Sequence, residues 1–216
     1  MDQPVLGQND TYTRLCQQVT NRGPWQQTAS GRAFFLADPR PEEVNVEDIA
    51  AALSRQCRYN GHLRPGVDHY SVAQHACLVS RWLEEDGYPT EVVYAGLHHD
   101  SAEAYTGDIV SQVKWIVPEF KALERRVENA VFVALGVMDG PSIARTVKGY
   151  DLIALATERR DLLSINRSAT TWGDMPNPRF EEIVPMRADT ARAWFLLQHD
   201  RLLKKVINER HAAKAV

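Results

Sequence analysis

From Val46 onward, apolar residues recur every three or four positions, the period at which a helix buries one stripe. The pattern predicts a short helix over 46–57. A second runs from about Tyr70 to Glu85 on the stripe Val72, Ala76, Val79 and Leu83, and Gly87 and Pro89 end it. A third is expected to start near Thr90, whose hydroxyl can cap first-turn amides, and to continue to Tyr105, where Gly107 stops it. Glu119 to Leu135 forms a fourth on Phe120, Leu123, Val127 and Val131. Pro141 to about Ile165 forms a fifth, with proline in its permissive first turn. Residues 167–185 carry Gly173, Pro176 and Pro178 and read as a long loop, before a final amphipathic helix from Ala188 to His211 on Trp194, Leu197, Leu202 and Val206. Ahead of Asn45, the turn signals Arg22-Gly23-Pro24 and Ser30-Gly31 precede a short run, Arg32 to Leu36, that reads as an edge strand. The expected fold is all-α, a helical core over 46–216 with an irregular N-terminal segment, 1–45, packed on it.

Three of these helices carry polar residues inside stripes that should be apolar. His75 lies one turn from both Val72 and Val79. His99, Asp100 and Glu103 continue the stripe of Val92, Val93 and Gly96, and Asp151 falls one turn after Val147. A carboxylate in a helical core is strongly destabilising or titrates to its neutral form unless a cation stands beside it. His75, His99, Asp100 and Asp151 therefore read as the ligands of one divalent metal ion. Mixed nitrogen and oxygen donors with positions left for water suit Mn, Co, Ni, Fe or Mg better than a closed structural zinc. Glu103, four residues after His99 and three after Asp100, lies one turn along the same face, where a general base would reach a water on the metal. The bland alternative is a satisfied polar cluster. A second dipeptide, His199-Asp200, has no histidine at a similar interval on a preceding helix and reads as a surface pair, His98 as packing, and His69 as a loop residue.

Composition narrows the setting. Of 216 residues 44% are hydrophobic and 25% charged, with 25 Lys and Arg against 28 Asp and Glu for a net charge of −3. That balance describes an ordinary globular chain and disfavours a nucleic-acid partner. The longest apolar run, Ala130 to Met138, is about half the roughly 20 residues of a membrane span, and no signal peptide is recognisable. Cys16, Cys57 and Cys77, an odd number without CxxC spacing, read as reduced thiols. The expectation is a cytoplasmic protein with neither nucleic-acid nor membrane partner, and a homo-oligomer is left open.

The order His75, His99-Asp100, Asp151 on successive helices resembles the signature of the HD-domain metal-dependent phosphohydrolases. The run from His99 through Glu103 to Gly107-Asp108, with Lys114 after it, is similar to the small 5'-deoxynucleotidases and the phage deoxyadenosine triphosphate triphosphohydrolases of that superfamily. The likeness spans about Ile49 to Leu163 and implies an HD-domain helical bundle acting on a nucleotide. In such enzymes an arginine followed by an aromatic residue precedes the first metal histidine, the arginine holding phosphate and the aromatic packing on the sugar. Arg58 and Tyr59 match that pair, with tyrosine where tryptophan is more frequent. Asp108 matches the acid that takes the sugar 3'-hydroxyl, and Lys114 a cation on the phosphate side. His62 is a further candidate for the phosphate or a turn cap.

The leading expectation is therefore a divalent-metal phosphohydrolase that cleaves the 5'-phosphate ester of a deoxynucleotide or nucleotide, the monophosphate before the triphosphate. A dNTP triphosphohydrolase would need extra cations, for which Arg32, Arg55, Arg64 and Lys148 are candidates. An alarmone or cyclic-nucleotide hydrolase shares the metal signature. A non-catalytic module stapled by its metal would need neither Glu103 nor Arg58.

Overall fold

In a computed structural model, described over residues 20–165 and 172–214, the helical period becomes α1 (Val46–Arg55), α2 (Val72–Glu85), α3 (Thr90–His98), α4 (Glu103–Thr106), α5 (Ser111–Ile116), α6 (Pro118–Leu135), α7 (Pro141–Leu162) and α8 (Ala188–Lys214). Strands β1 (Gln26–Gln27) and β2 (Ala33–Phe34) pair antiparallel ahead of them, so the all-α expectation stands. Cys16 lies outside the described residues. No helix among them is long and apolar enough to cross a membrane.

Helix α2 is the centre. Ser71 caps it by accepting the Gln74 N–H, and it packs against α1, α3, α7 and α8. Its residues from Val72 to Leu83 are buried except Arg81, so a polar side chain at position 75 is forced into the interior. Close approach of α3 depends on Gly96, where a methyl group would lie 2.4 Å from Leu83 Cδ1.

The third predicted helix is interrupted. Helix α3 stops at His98, and the next turn tightens to i→i+3 bonds, Ser101 N–H to the His98 carbonyl and Glu103 N–H to that of Asp100, both 3.0 Å. The tighter winding brings residues three apart nearly into line. Gly107 (φ 84°, ψ 153°) then closes α4 in a region that glycine alone adopts readily, its N–H on the Glu103 carbonyl at 2.8 Å.

Among the described residues, the N-terminal segment is fastened through Asp48 and Tyr105. Asp48, buried on α1, accepts the Ser30 N–H at 2.6 Å and the Ser30 hydroxyl at 2.7 Å. Phe34, fully buried, stacks on Tyr105 of α4 with ring centroids 3.8 Å apart, and the Tyr105 oxygen accepts the Asn45 N–H. Of the predicted strand Arg32–Leu36, only Ala33 and Phe34 pair.

Helix α8 corrects two expectations. Its buried face runs through Ala191, Phe195, Gln198, His199, Leu202 and Val206, so the predicted stripe holds at Leu202 and Val206 but leaves Leu197 68% exposed. His199 is consequently not a surface residue, although Asp200 is exposed. His199 Nδ1 shares a hydrogen bond with His98 Nε2 at 3.0 Å, and His98 Nδ1 meets Ser101 Oγ at 2.9 Å. Burial holds the pKa of both rings down, most strongly at His98, where charges on His199 and His99 push the same way. Both rings are therefore neutral, and protonating one breaks the sharing. The stability this pair confers is present in full above the ordinary imidazole pKa and is lost as pH falls through the depressed folded values. Between about pH 7.5 and about pH 5.5 the urea midpoint of wild type should fall relative to that of His98→Gln, the difference isolating this pair from the other titrating groups. At neutral pH, His199→Ala should destabilise the fold by about 2–3 kcal/mol without changing metal affinity.

Candidate active site

Helix α2 delivers His75, the end of α3 delivers His99 and Asp100, and α7 delivers Asp151. His75 Nε2 lies 3.3 Å from His99 Nε2, 3.2 Å from Asp151 Oδ1 and 3.5 Å from Asp100 Oδ2. His99 Nε2 is 3.2 Å from Asp100 Oδ2 and 4.0 Å from Asp151 Oδ1. Donor atoms of His75, His99 and Asp151 all fall within 4.8 Å of one another, and Asp100 adjoins both imidazoles from the side of Arg58, whose Nη1 it meets at 3.5 Å.

The donor chemistry fits a divalent cation. His75 Nδ1 faces Glu158 Oε1 at 2.6 Å and His99 Nδ1 faces the Gly96 carbonyl at 2.8 Å. Each ring therefore keeps its proton on Nδ1 and turns the Nε2 lone pair inward. Two such nitrogens 3.3 Å apart, flanked by two carboxylates, require positive charge between them, a proton on His75 in the metal-free protein or a bound cation. Burial and Arg58 oppose a charge on His75, yet Glu158 and Asp151 outweigh them and lift its pKa to about 9. Burial likewise opposes ionisation of Asp100 and Asp151, but the imidazoles hold both carboxyls well below the usual range, helped at Asp151 by Lys148.

Glu103 heads α4 beside this cluster, 6% exposed. Burial, and then the charges of Asp100 and Asp108, push its carboxyl well above the ordinary value against the pull of Lys114 and Arg58. Lys114 Nζ donates to Glu103 Oε1 at 3.2 Å and to Glu124 at 2.6 Å, while Glu103 Oε2 is buried with no hydrogen-bond partner among the described residues. Helix α5, absent from the predicted elements, is what carries Lys114 there. Lys114 thus meets two carboxylates, one of them Glu103. Asp108 is half-buried after Gly107, its pKa raised by burial against an opposing Arg58.

Arg58 is drawn to the centre by a bridge between Cys57 and Ser71 and by its own N–H on the Tyr70 carbonyl at 2.9 Å. The chain then turns through left-handed conformations at Tyr59 (φ 59°) and Asn60 (φ 51°), unusual for residues with side chains. The Tyr59 hydroxyl donates to Glu158. His62, by contrast, is exposed and lines a separate cleft with Arg159, Arg160 and Trp172.

Glu158 escapes sequence reasoning. Fully buried on α7, it accepts from His75, Tyr59 and the Tyr70 hydroxyl and stands 3.4 Å from Arg58 Nε. Burial opposes its charge, but Arg58 and His75 hold its pKa at about 2. Its position seven residues after Asp151, two turns along the same face, was the available signal. The run Glu158-Arg159-Arg160-Asp161 disguises it as a solvated helix end.

His99, Asp100 and Asp151 open onto a cavity of about 330 Å³ whose other walls include Phe132, Met138, Ile143 and Val147, with Glu128 and Asp139 as further acids. Lys148, also in its lining, is already paired with Asp151 Oδ2 at 2.6 Å.

Helices converging two histidines and two aspartates beside a buried glutamate define an HD-domain phosphohydrolase. A family model described as 5'-deoxynucleotidase YfbR-like matches residues 68–138, a span holding His75, His99, Asp100, Glu103, Asp108 and Lys114 but ending before Asp151. The uncharacterized protein YfdR of Escherichia coli is 38% identical over 135 residues, 62% of this chain and 70% of that protein. The uncharacterized protein RCAP_rcc00048 of Rhodobacter capsulatus is 30% identical over 192 residues, 84% of this chain and 97% of that protein. The chain belongs to the YfbR-like family of HD-domain phosphohydrolases.

Removing one of the four converging side chains should leave the remaining buried donors uncompensated. Calorimetric titration of metal-stripped protein with Mn²⁺ is expected to give an affinity at least about tenfold weaker for Asp151→Ala than for wild type.

Proposed function

We propose that this chain hydrolyses the 5'-phosphate ester of deoxynucleoside monophosphates, using a divalent ion held by His75, His99, Asp100 and Asp151. The observation that carries the reading is the convergence of two inward imidazole lone pairs and two carboxylates beside Glu103, whose Oε2 is buried and unpartnered. A metal staple would have no use for such an acceptor. Family membership supports the reaction class.

Bound there, a divalent ion supplies charge that polarises a phosphoryl oxygen and acidifies a water. Glu103 is the proposed general base: Lys114 fixes Oε1, and Oε2 is free to take the proton of the attacking water. As the water oxygen bonds to phosphorus, the bond from phosphorus to O5' breaks, and the proton taken up by Glu103 is the one proposed to pass to O5', so that the nucleoside leaves with a free 5'-hydroxyl. Arg58, ionised and braced by Glu158 and Asp100, is the proposed phosphate cation. Asp108 is proposed to accept from the 3'-hydroxyl, and the Tyr59 ring to pack against the sugar.

The monophosphate is favoured over the triphosphate by the distribution of cations. Arg55 and Arg64 line a different cleft, with His69 and Arg192, and Lys148 is engaged by Asp151. The cavity at the metal cluster instead carries Glu128 and Asp139, which repel a polyphosphate tail.

Phosphate-release assays with deoxynucleoside mono- and triphosphates, resolved by product, should yield inorganic phosphate from the monophosphate and little tripolyphosphate from the triphosphate. The reverse order would sink the monophosphate assignment. Glu103→Ala should keep fold and Mn²⁺ affinity and lose about 10²- to 10⁴-fold in kcat. If Asp108 meets the sugar, a 2',3'-dideoxynucleotide should be a poor substrate beside the 2'-deoxynucleotide, because the carboxylate loses its donor. Equal kcat/KM for the two would remove Asp108 from the site.

A further inference from the structure

The contacts of Glu158 fall into two groups, one on each oxygen. Oε1 accepts the Tyr70 hydroxyl at 2.8 Å and the His75 Nδ1 proton at 2.6 Å. Oε2 accepts the Tyr59 hydroxyl and lies at ion-pair distance, 3.4 Å, from Arg58 Nε. One oxygen faces the metal ligand and the other faces the arginine. With the side chain wholly buried, water does not replace a missing donor. Glu158 also shares α7 with Asp151, so a single helix carries one metal ligand and the brace of another.

The consequence for each partner is specific. Holding Nδ1–H on Oε1 fixes the tautomer of His75 and the direction of its Nε2. On the other side, Arg58 Nε stands at ion-pair distance from Oε2 without a hydrogen bond of its own, and Nη1 donates to Asp100, so the guanidinium is held between two carboxylates. The strained left-handed backbone at Tyr59 brings its hydroxyl to the same oxygen, so the loop holding Arg58 is tied down through Glu158 as well.

We propose that Glu158 is a positioning residue coupling the two halves of the site: one carboxylate aims His75 at the ion and Arg58 at the phosphate. For the arginine half, the inference rests on the nucleotidase reading above; the metal half stands without it.

The test uses the full chain with two substitutions, each read by Mn²⁺ titration of the stripped protein and by kcat and KM for a deoxynucleoside 5'-monophosphate at saturating Mn²⁺. Glu158→Gln keeps the shape and removes the charge. It should weaken Mn²⁺ binding by about 10- to 100-fold and, once metal is restored to saturation, still raise KM. Tyr59→Phe keeps the ring and removes only the hydroxyl on Oε2. It should raise KM by roughly three- to tenfold with Mn²⁺ affinity within about twofold of wild type. A purely structural role for Glu158 would not separate the two readouts in this way. The proposal is overturned by Mn²⁺ affinity of Glu158→Gln within twofold of wild type, or by a Tyr59→Phe variant with unchanged KM. Should Glu158→Gln fail to fold by circular dichroism, the Tyr59→Phe split decides alone. If wild type releases phosphate from no nucleotide, the nucleotidase reading falls and takes the arginine half with it, while the Mn²⁺ titrations still decide the metal half.

Discussion

A fully buried imidazole has two nitrogens to satisfy, and His75 meets that demand on a helix buried from Val72 to Leu83 at every position but Arg81. Its Nδ1 is answered by a carboxylate, which must itself be buried and therefore gathers hydroxyls and a guanidinium around it. Its Nε2 is answered by a second imidazole and two carboxylates, a group that is stable only with a cation. Helices α1, α3, α7 and α8 pack on the same helix that carries this histidine. Displacing α2 would thus disturb core packing, proposed metal ligation and the Arg58 bridge together.

The interruption of the third predicted helix shows how local winding serves the cluster. On a continuous α-helix His99 and Asp100 point about 100° apart. Ending α3 at His98 and tightening the following turn lets both reach His75 Nε2. The last turn of α3 also gains a cap, because His99 Nδ1 occupies the carbonyl of Gly96, the residue that lets α3 approach α2. One glycine thereby governs both the spacing of two helices and the orientation of a proposed ligand.

The helical pattern was legible because apolar spacing reflects which face is buried, and the polar intruders at 75, 99, 100, 103 and 151 stood out against it. What stayed hidden depended on tertiary contacts. No Gly or Pro marks the break between His98 and Glu103, since that turn keeps right-handed dihedrals and only its hydrogen bonds change. His199 read as solvated because it stands beside Asp200 and off the stripe of Trp194, Leu197, Leu202 and Val206, and its partner, His98, is 101 residues away in sequence. Glu158 was masked by the charged residues that follow it. The family model speaks to the class of chemistry, while the proposed roles of individual side chains rest on geometry.

The stacking of Phe34 on Tyr105 bears on where the functional unit begins. Tyr105 sits two residues from Glu103 on a helix of a single turn, too short to be stable without support on its outer face. That support comes from a hairpin upstream of the first long helix, anchored again by Ser30 on Asp48. The heritable module is therefore not the helical core alone. A recombination point at residue 45 would divide the proposed base from its foundation, so the hairpin and the helices are constrained to travel together through any rearrangement that keeps the chemistry.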